Sequence, residues 1–165
     1  MDILQKMTEA IASIPFPVYG VVGEPLGLTF KGYTPYIGVV IGITLGYKSA
    51  RYPVYTLTRN PPRSLGTVTI SSQEAGRELL HVRDYFLAKI IEGQEQPARD
   101  PFRWEGSLTI ADTLFSGIIT YYAAPLSIAG FRLTSEKTLI MGHSCGPSCD
   151  ELVQLLEGLR VLNQL

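Results

Sequence analysis

Apolar residues recur along this chain with helical spacing in three places and with strand-like alternation between them. Ile3, Leu4, Met7, Ile11 and Ile14 are separated by three or four residues or by whole turns, which predicts a helix with one buried face. Pro15 and Pro17 end it, because proline lacks the N–H and its ring clashes with the preceding turn. From Val18 to Ile70 the pattern changes to short runs of β-branched and aromatic residues broken by Gly and Pro, which predicts strands.

The longest apolar run, Tyr36 to Tyr47, is read as one strand. Alternation would place Ile37, Val39, Ile41, Ile43 and Leu45 on one side, and Gly38, Gly42, Thr44 and Gly46 on the other. A helix there would carry three interior glycines, each costing about 1 kcal/mol relative to alanine. Tyr52 to Thr58 is the next expected strand, closed by a turn at Asn60, Pro61 and Pro62.

A second helix is expected from Ser71 or Ser72, where Ser71 and Glu74 have capping-box spacing. Its core face would be Leu79, Val82, Phe86 and Ile90, widened by Leu80, Leu87 and Ile91, with Gly93 as its C-terminal cap. Gln94 to Arg103 reads as a loop. Further strands are expected at Leu108 with Ile110, Leu114 to Ala123, Ser127 to Leu133 and Thr138 to Met141. Leu114 to Ala123 is apolar on both faces, which predicts a central strand. A third helix follows Pro147, with a Ser148 and Glu151 capping box and a stripe of Leu152, Leu155, Leu156, Leu159 and Leu162.

The fold class expected is therefore α+β over residues 1–165 as one domain, a mainly antiparallel sheet of about five to seven strands covered by three helices, in the order α-β(n)-α-β(n)-α. Profilin-like and secretion-chaperone-like folds share this order as a layout, without a residue motif of either here, and a layout assigns no function.

Composition adds one expectation about assembly. In 165 residues the hydrophobic share is 45% and the charged share 18%, against roughly a quarter charged in an average globular protein. Apolar surface beyond one core must meet another surface, and self-association as a homodimer is the commonest solution. The net charge of -1 gives the whole molecule no strong attraction to nucleic acid or to an anionic membrane. Met1 to Ile14 carries Asp2 and Glu9 and has no basic segment followed by a continuous apolar one, so a cytoplasmic location is expected. No apolar run approaches the roughly 20 residues of a membrane-crossing helix, and no membrane partner is expected.

Candidate chemistry centres on His143, Cys145 and Cys149 within His-Ser-Cys-Gly-Pro-Ser-Cys. At the start of the third helix, unpaired N–H groups would favour a Cys149 thiolate, and His143 could act as its base, giving a thiol enzyme or redox protein. The same side chains could contribute to a zinc site, but a closed site needs four ligands and no fourth is evident, so no metal or cofactor is expected. Alternatively, small cysteines simply pack at a strand-to-helix corner shaped by Gly146 and Pro147. His81 lies beside the apolar stripe of the second helix as a boundary residue. Ser144 lacks the Gly-x-Ser-x-Gly elbow, and no phosphate-cradling glycine loop is present. Asp100, Glu105 and Asp112 flank Trp104 without a spacing that marks an acid and a base.

Between Pro25 and Gln73 there is no Asp or Glu, while Lys31, Lys48, Arg51, Arg59 and Arg63 mix with tyrosines. Lys48, Arg51, Tyr55, Arg59 and Arg63 form the candidate binding set, for an acidic protein partner or, as an alternative the overall charge disfavours, nucleic acid. The leading expectation is a non-enzymatic partner-binding or adaptor domain that uses an exposed sheet face or edge. The thiol site is its rival.

Overall fold

A computed structural model describes residues 2–36, 42–55, 63–75, 102–122 and 127–163. In chain order they form helix α1 (Ile3–Ala12), strand β1 (Tyr19–Gly20), a 3-10 turn (Pro25–Gly27), β2 (Thr29–Tyr36), β3 (Gly42–Tyr55), β4 (Arg63–Glu74), β5 (Phe102–Ile110), β6 (Thr113–Tyr122), β7 (Ile128–Thr134), β8 (Thr138–Cys145), helix α2 (Cys149–Glu157) and β9 (Arg160–Val161). Seven strands make one antiparallel sheet in the order β2-β3-β4-β8-β7-β6-β5, and β1 pairs with β9 in a small second sheet. The fold is thus mixed α+β and antiparallel, with two α-helices rather than three among the described residues. None of the described helices is long and apolar enough to cross a membrane.

Strand alternation and register assign one sheet face to the core. Ile43, Leu45 and Tyr47 of β3, Val68 and Ile70 of β4, Ile140 of β8, Phe131 and Leu133 of β7, Phe115 and Ile119 of β6, and Leu108 and Ile110 of β5 are all buried in one cluster. Met7 and Ile11 of α1 and Leu152, Leu155 and Leu156 of α2 join it. Burial of each large side chain contributes about 1.5–3 kcal/mol, so this helix-covered face is where the fold is held. On the opposite face Gln73, Ile128, Leu139 and Met141 are also buried.

Both helices end in specific hydrogen bonds. Asp2 caps α1 by accepting from the Gln5 N–H at 2.8 Å. At its other end the Asn163 amide donates to the carbonyls of Ile11, Ile14 and Phe16, while its oxygen accepts from the Val18 N–H. Asn163 thereby ties the end of α1 and the segment after it to the residues beyond β9. Ile3 and Leu4, expected in the α1 stripe, are exposed, and burial begins only at Met7. In α2 the expected capping box is complete: Glu151 N–H donates to Ser148 Oγ at 3.2 Å and Ser148 N–H donates to Glu151 Oε1 at 3.0 Å.

Several expected boundaries move. Tyr36 to Tyr47 is not one strand, because Tyr36 ends β2 and pairs with Gly42 at the start of β3. Within β3 Ile43 and Leu45 share the core face as expected, while residues 37–41 lie outside the described residues. β3 continues through Tyr55, and Thr58 and the Asn60, Pro61 and Pro62 turn lie outside the described residues. Ser71 and Glu74 do not form a capping box. They belong to β4, whose backbone is taken by β3 on one side and β8 on the other. The hydroxyls of Ser71 and Ser72 are used across the fold, Ser72 Oγ accepting from Tyr19 N–H at 3.0 Å and Ser71 Oγ meeting Thr44 Oγ1 at 2.6 Å. The face from Leu79 to Ile91, with His81, lies outside the described residues. β5 begins at Phe102, inside the expected loop, and β8 runs on to Cys145. The central strand is β8, with Thr138 to Met141 all buried, whereas β6 lies one place from the sheet edge.

Candidate functional site

The corner between β8 and α2 carries the sequence-predicted thiols. His143 and Cys145 lie two residues apart on β8 and so share the face that carries Met141, opposite the core cluster. The chain then turns at Gly146, whose φ of 120° suits glycine and whose N–H donates to the Ser127 carbonyl at 2.8 Å. Cys149, in the first turn of α2, packs against the core cluster on the other side. The sheet therefore separates His143 from Cys149. Cys145 and Cys149 are not disulfide-bonded, and among the described residues no group of three or more His, Cys, Asp or Glu side chains converges as a metal site requires.

Electrostatics point the same way. Burial raises the Cys149 thiol, and the neighbouring Asp150 carboxylate raises it further, the direction opposite to that expected from the helix start. Burial also holds the His143 imidazole down at about 4, so it is neutral at pH 7.

Sequence reasoning missed a cluster at this corner. Between Ser49 and Pro53 the β3–β4 register shifts, so Ala50, Arg51 and Tyr52 bulge out of the ladder. Tyr52 reaches α2, where its hydroxyl donates to Glu151 Oε2 at 2.5 Å. A side chain at Gly66 or Gly146 would come within 2.7 or 2.6 Å of Tyr52 Cβ, so both glycines make room for Tyr52. Arg51 lies over the ring at 5.7 Å and 4.0 Å from Glu151 Oε2. Burial, then the hydrogen bond to Glu151, pushes the Tyr52 phenol up to about 12. The Ser148 N–H and then Tyr52 hold Glu151 below its usual carboxylate range. Near neutrality Tyr52 stays protonated and Glu151 ionised, which suits a clamp; proton transfer needs a group poised near the working pH.

The other predicted binding residues are spread along the β3–β4 hairpin. Lys48 and Arg51 are exposed, the Tyr55 and Arg63 backbones face each other across the ladder, and Arg59 lies outside the described residues. Of the three carboxylates, Asp100 is outside the described residues, Glu105 is exposed on β5 and Asp112 sits in the β5–β6 turn. An open cleft of about 470 Å³ lies where Pro15, Phe16 and Pro17 meet Glu74, Ala75, Glu136 and Lys137. Its lining carries three charged side chains, Glu74, Glu136 and Lys137, and no serine, cysteine or histidine.

A more distinctive surface is the β5 edge. Phe102, Arg103, Glu105, Gly106, Ser107 and Thr109 are exposed, Trp104 is half-buried, and only Leu108 and Ile110 are fully covered. Phe102 is 57% exposed although it is a large aromatic. Arg103 Nε bonds Glu105 Oε1 at 2.9 Å along one face, and on the other the Trp104 ring lies across Gly106, where a Cβ would come 3.1 Å from Cζ2. The β5–β6 hairpin turns at Ala111 and Asp112, both with positive φ as a two-residue type I′ turn requires. That turn makes Ile110 and Thr113 a hydrogen-bonded pair. Counting back in twos, even-numbered residues of β5 direct their backbone groups to β6, while Arg103, Glu105, Ser107 and Thr109 direct theirs outward. Among the described residues no strand lies beyond β5.

Comparison with known proteins gives no match to this chain, whether with protein-family models, curated proteins or solved structures.

Proposed function

We propose that this chain is a non-enzymatic partner-binding or adaptor protein whose docking element is the β5 edge. The observation that carries the reading is the run Phe102 to Ser107, exposed at every position but the half-buried Trp104, at the end of a seven-stranded sheet. Outward-facing N–H and C=O groups on such a strand pair readily with another extended segment, and the flanking side chains then set specificity. The titration behaviour of Tyr52, His143, Cys149 and Glu151 supports a structural role for the β8–α2 corner.

Site-specific photocrosslinking in cells expressing the full chain tests this. A photoreactive residue replacing Phe102 should give a discrete protein adduct, and one replacing Leu114, 64% exposed elsewhere on the surface, should not. Glu105→Pro deletes an outward N–H in mid-run while sparing the bonds to β6, so it should abolish the Phe102 adduct. Absence of an adduct at Phe102, or one that Glu105→Pro leaves intact, defeats the reading.

A further inference from the structure

We infer that the occupant of the β5 edge is a second copy of this chain, laid antiparallel about a two-fold axis at Trp104. This rests on β5 being a docking edge and adds which chain docks and in what register.

Two copies of one strand meeting edge to edge must pair residue i with the residue equally far on the other side of the axis. Outward-directed residues must face one another, so the axis passes through a residue rather than between two. Three such axes centre on the charged part of the exposed run, at Arg103, Trp104 and Glu105. An axis at Arg103 sets Arg103 against itself, and one at Glu105 sets Glu105 against itself, and like charges directly opposite are destabilising. An axis at Trp104 sets Arg103 of each copy opposite Glu105 of the other. Opposite charges then face each other twice.

The backbone agrees with this register. Arg103 and Glu105 are outward-directed, so each Arg103 and Glu105 pair exchanges both of its N–H···O=C bonds. The side chains agree on both faces. Arg103 and Glu105 already bond within one strand at 2.9 Å, and a second copy extends them into an alternating square of four charges. On the other face Trp104 meets its own symmetry mate, and each Phe102 lies opposite Gly106 of the partner, beside the Trp104 ring that crosses that glycine. The exposed Phe102 is thereby covered. Association also stops at two copies: the axis is closed, and the opposite edge, β2, carries a bulge at Lys31 and a proline at Pro35 that hinder further strand addition.

Sedimentation equilibrium on the full chain, with circular dichroism to confirm folding, tests the register by charge exchange. The wild type should be a dimer. Arg103→Glu and Glu105→Arg, each making two like-charge contacts at exposed positions, should each weaken the dimer about tenfold or more. The double variant R103E/E105R should restore it, and mixing the two single variants should give a heterodimer. A monomeric wild type, a dimer indifferent to either single change, or failure of the double variant to recover would overturn the inference. In that event a Phe102 adduct to a different protein would leave the docking edge standing, and no adduct would remove both.

Discussion

At one edge of the sheet, β2 is interrupted by a register shift around Lys31 and carries Pro35, and α1 packs beside it, with Ile3 Cδ1 3.8 Å from where a Cβ on Gly32 would lie. At the other edge, β5 pairs with β6 over nine residues with no shift and contains no proline. A bulge and a proline remove the regular row of donors that another strand needs, and a straight, exposed strand keeps it. Among the described residues, then, one edge is guarded and the other is left open. Accidental aggregation would threaten both edges equally, so the difference supports use of β5 rather than neglect of it.

The sharpest way to break this contrast is to detach the open edge. A Cβ on Gly117 of β6 would lie 1.9 Å from the Arg132 carbonyl oxygen, so alanine there must push β6 away from β7, and β5 goes with it. Gly117→Ala should cost ~3 kcal/mol or more in urea unfolding. On the guarded edge a Cβ at Gly32 meets only Ile3 at an ordinary van der Waals distance of 3.8 Å, and Gly32→Ala should change stability by no more than ~1 kcal/mol. Equal losses would mean that the edges are not held differently.

How much of this was readable beforehand follows the range of each interaction. The capping box at Ser148 and Glu151 was legible because both of its bonds close within one turn. The same spacing at Ser71 and Glu74 misled, because pairing with β3 and β8 overrides so short a motif. His143, Cys145 and Cys149 are neighbours in sequence, yet strand alternation and the Gly146 turn send them to different sides of the sheet. Tyr52 and Glu151, 99 residues apart, announce nothing to each other in the sequence, although each sits in a segment that was singled out. That β5 is an edge is a property of strand order, which hydrophobic alternation does not encode.

A smaller effect concerns how the guarded side is tied down. Past Thr29, where β2 begins, β3 leaves its ladder and is pinned to α2 through Tyr52 and Glu151. Tyr52→Phe removes a hydrogen bond to a carboxylate and should cost ~1–2 kcal/mol near neutral pH. The sign of the pH dependence follows from the raised phenol. Its contribution is complete below the ordinary tyrosine value of about 10 and is lost as the pH rises through about 12. Glu151 is held low, so its share is present above the ordinary carboxylate range and fades as the pH falls through its folded value. Wild-type and variant stabilities, followed by urea unfolding against pH, should converge at the alkaline end. A gap that stays constant up to pH 12 would assign the loss to packing.

The smallest effect bears on why β5 stays straight. Its hairpin turn places Ala111 at φ 47° and Asp112 at φ 64°, both in the left-handed region. That region brings the Cβ of an alanine too close to the following carbonyl and costs roughly 1–2 kcal/mol, whereas glycine enters it freely but loses more chain entropy on folding. Ala111→Gly should therefore stabilise the protein by a net ~0.5–1 kcal/mol, visible as a rise of a few degrees in Tm. Because the turn lies at the buried end of β5, beyond Ile110, the exposed run Phe102 to Ser107 and its association should not change. Destabilisation instead would mean that Ala111 makes contacts worth more than its backbone strain, since its side chain is half-buried against the core, and the register of β5 would then owe more to packing than to the turn.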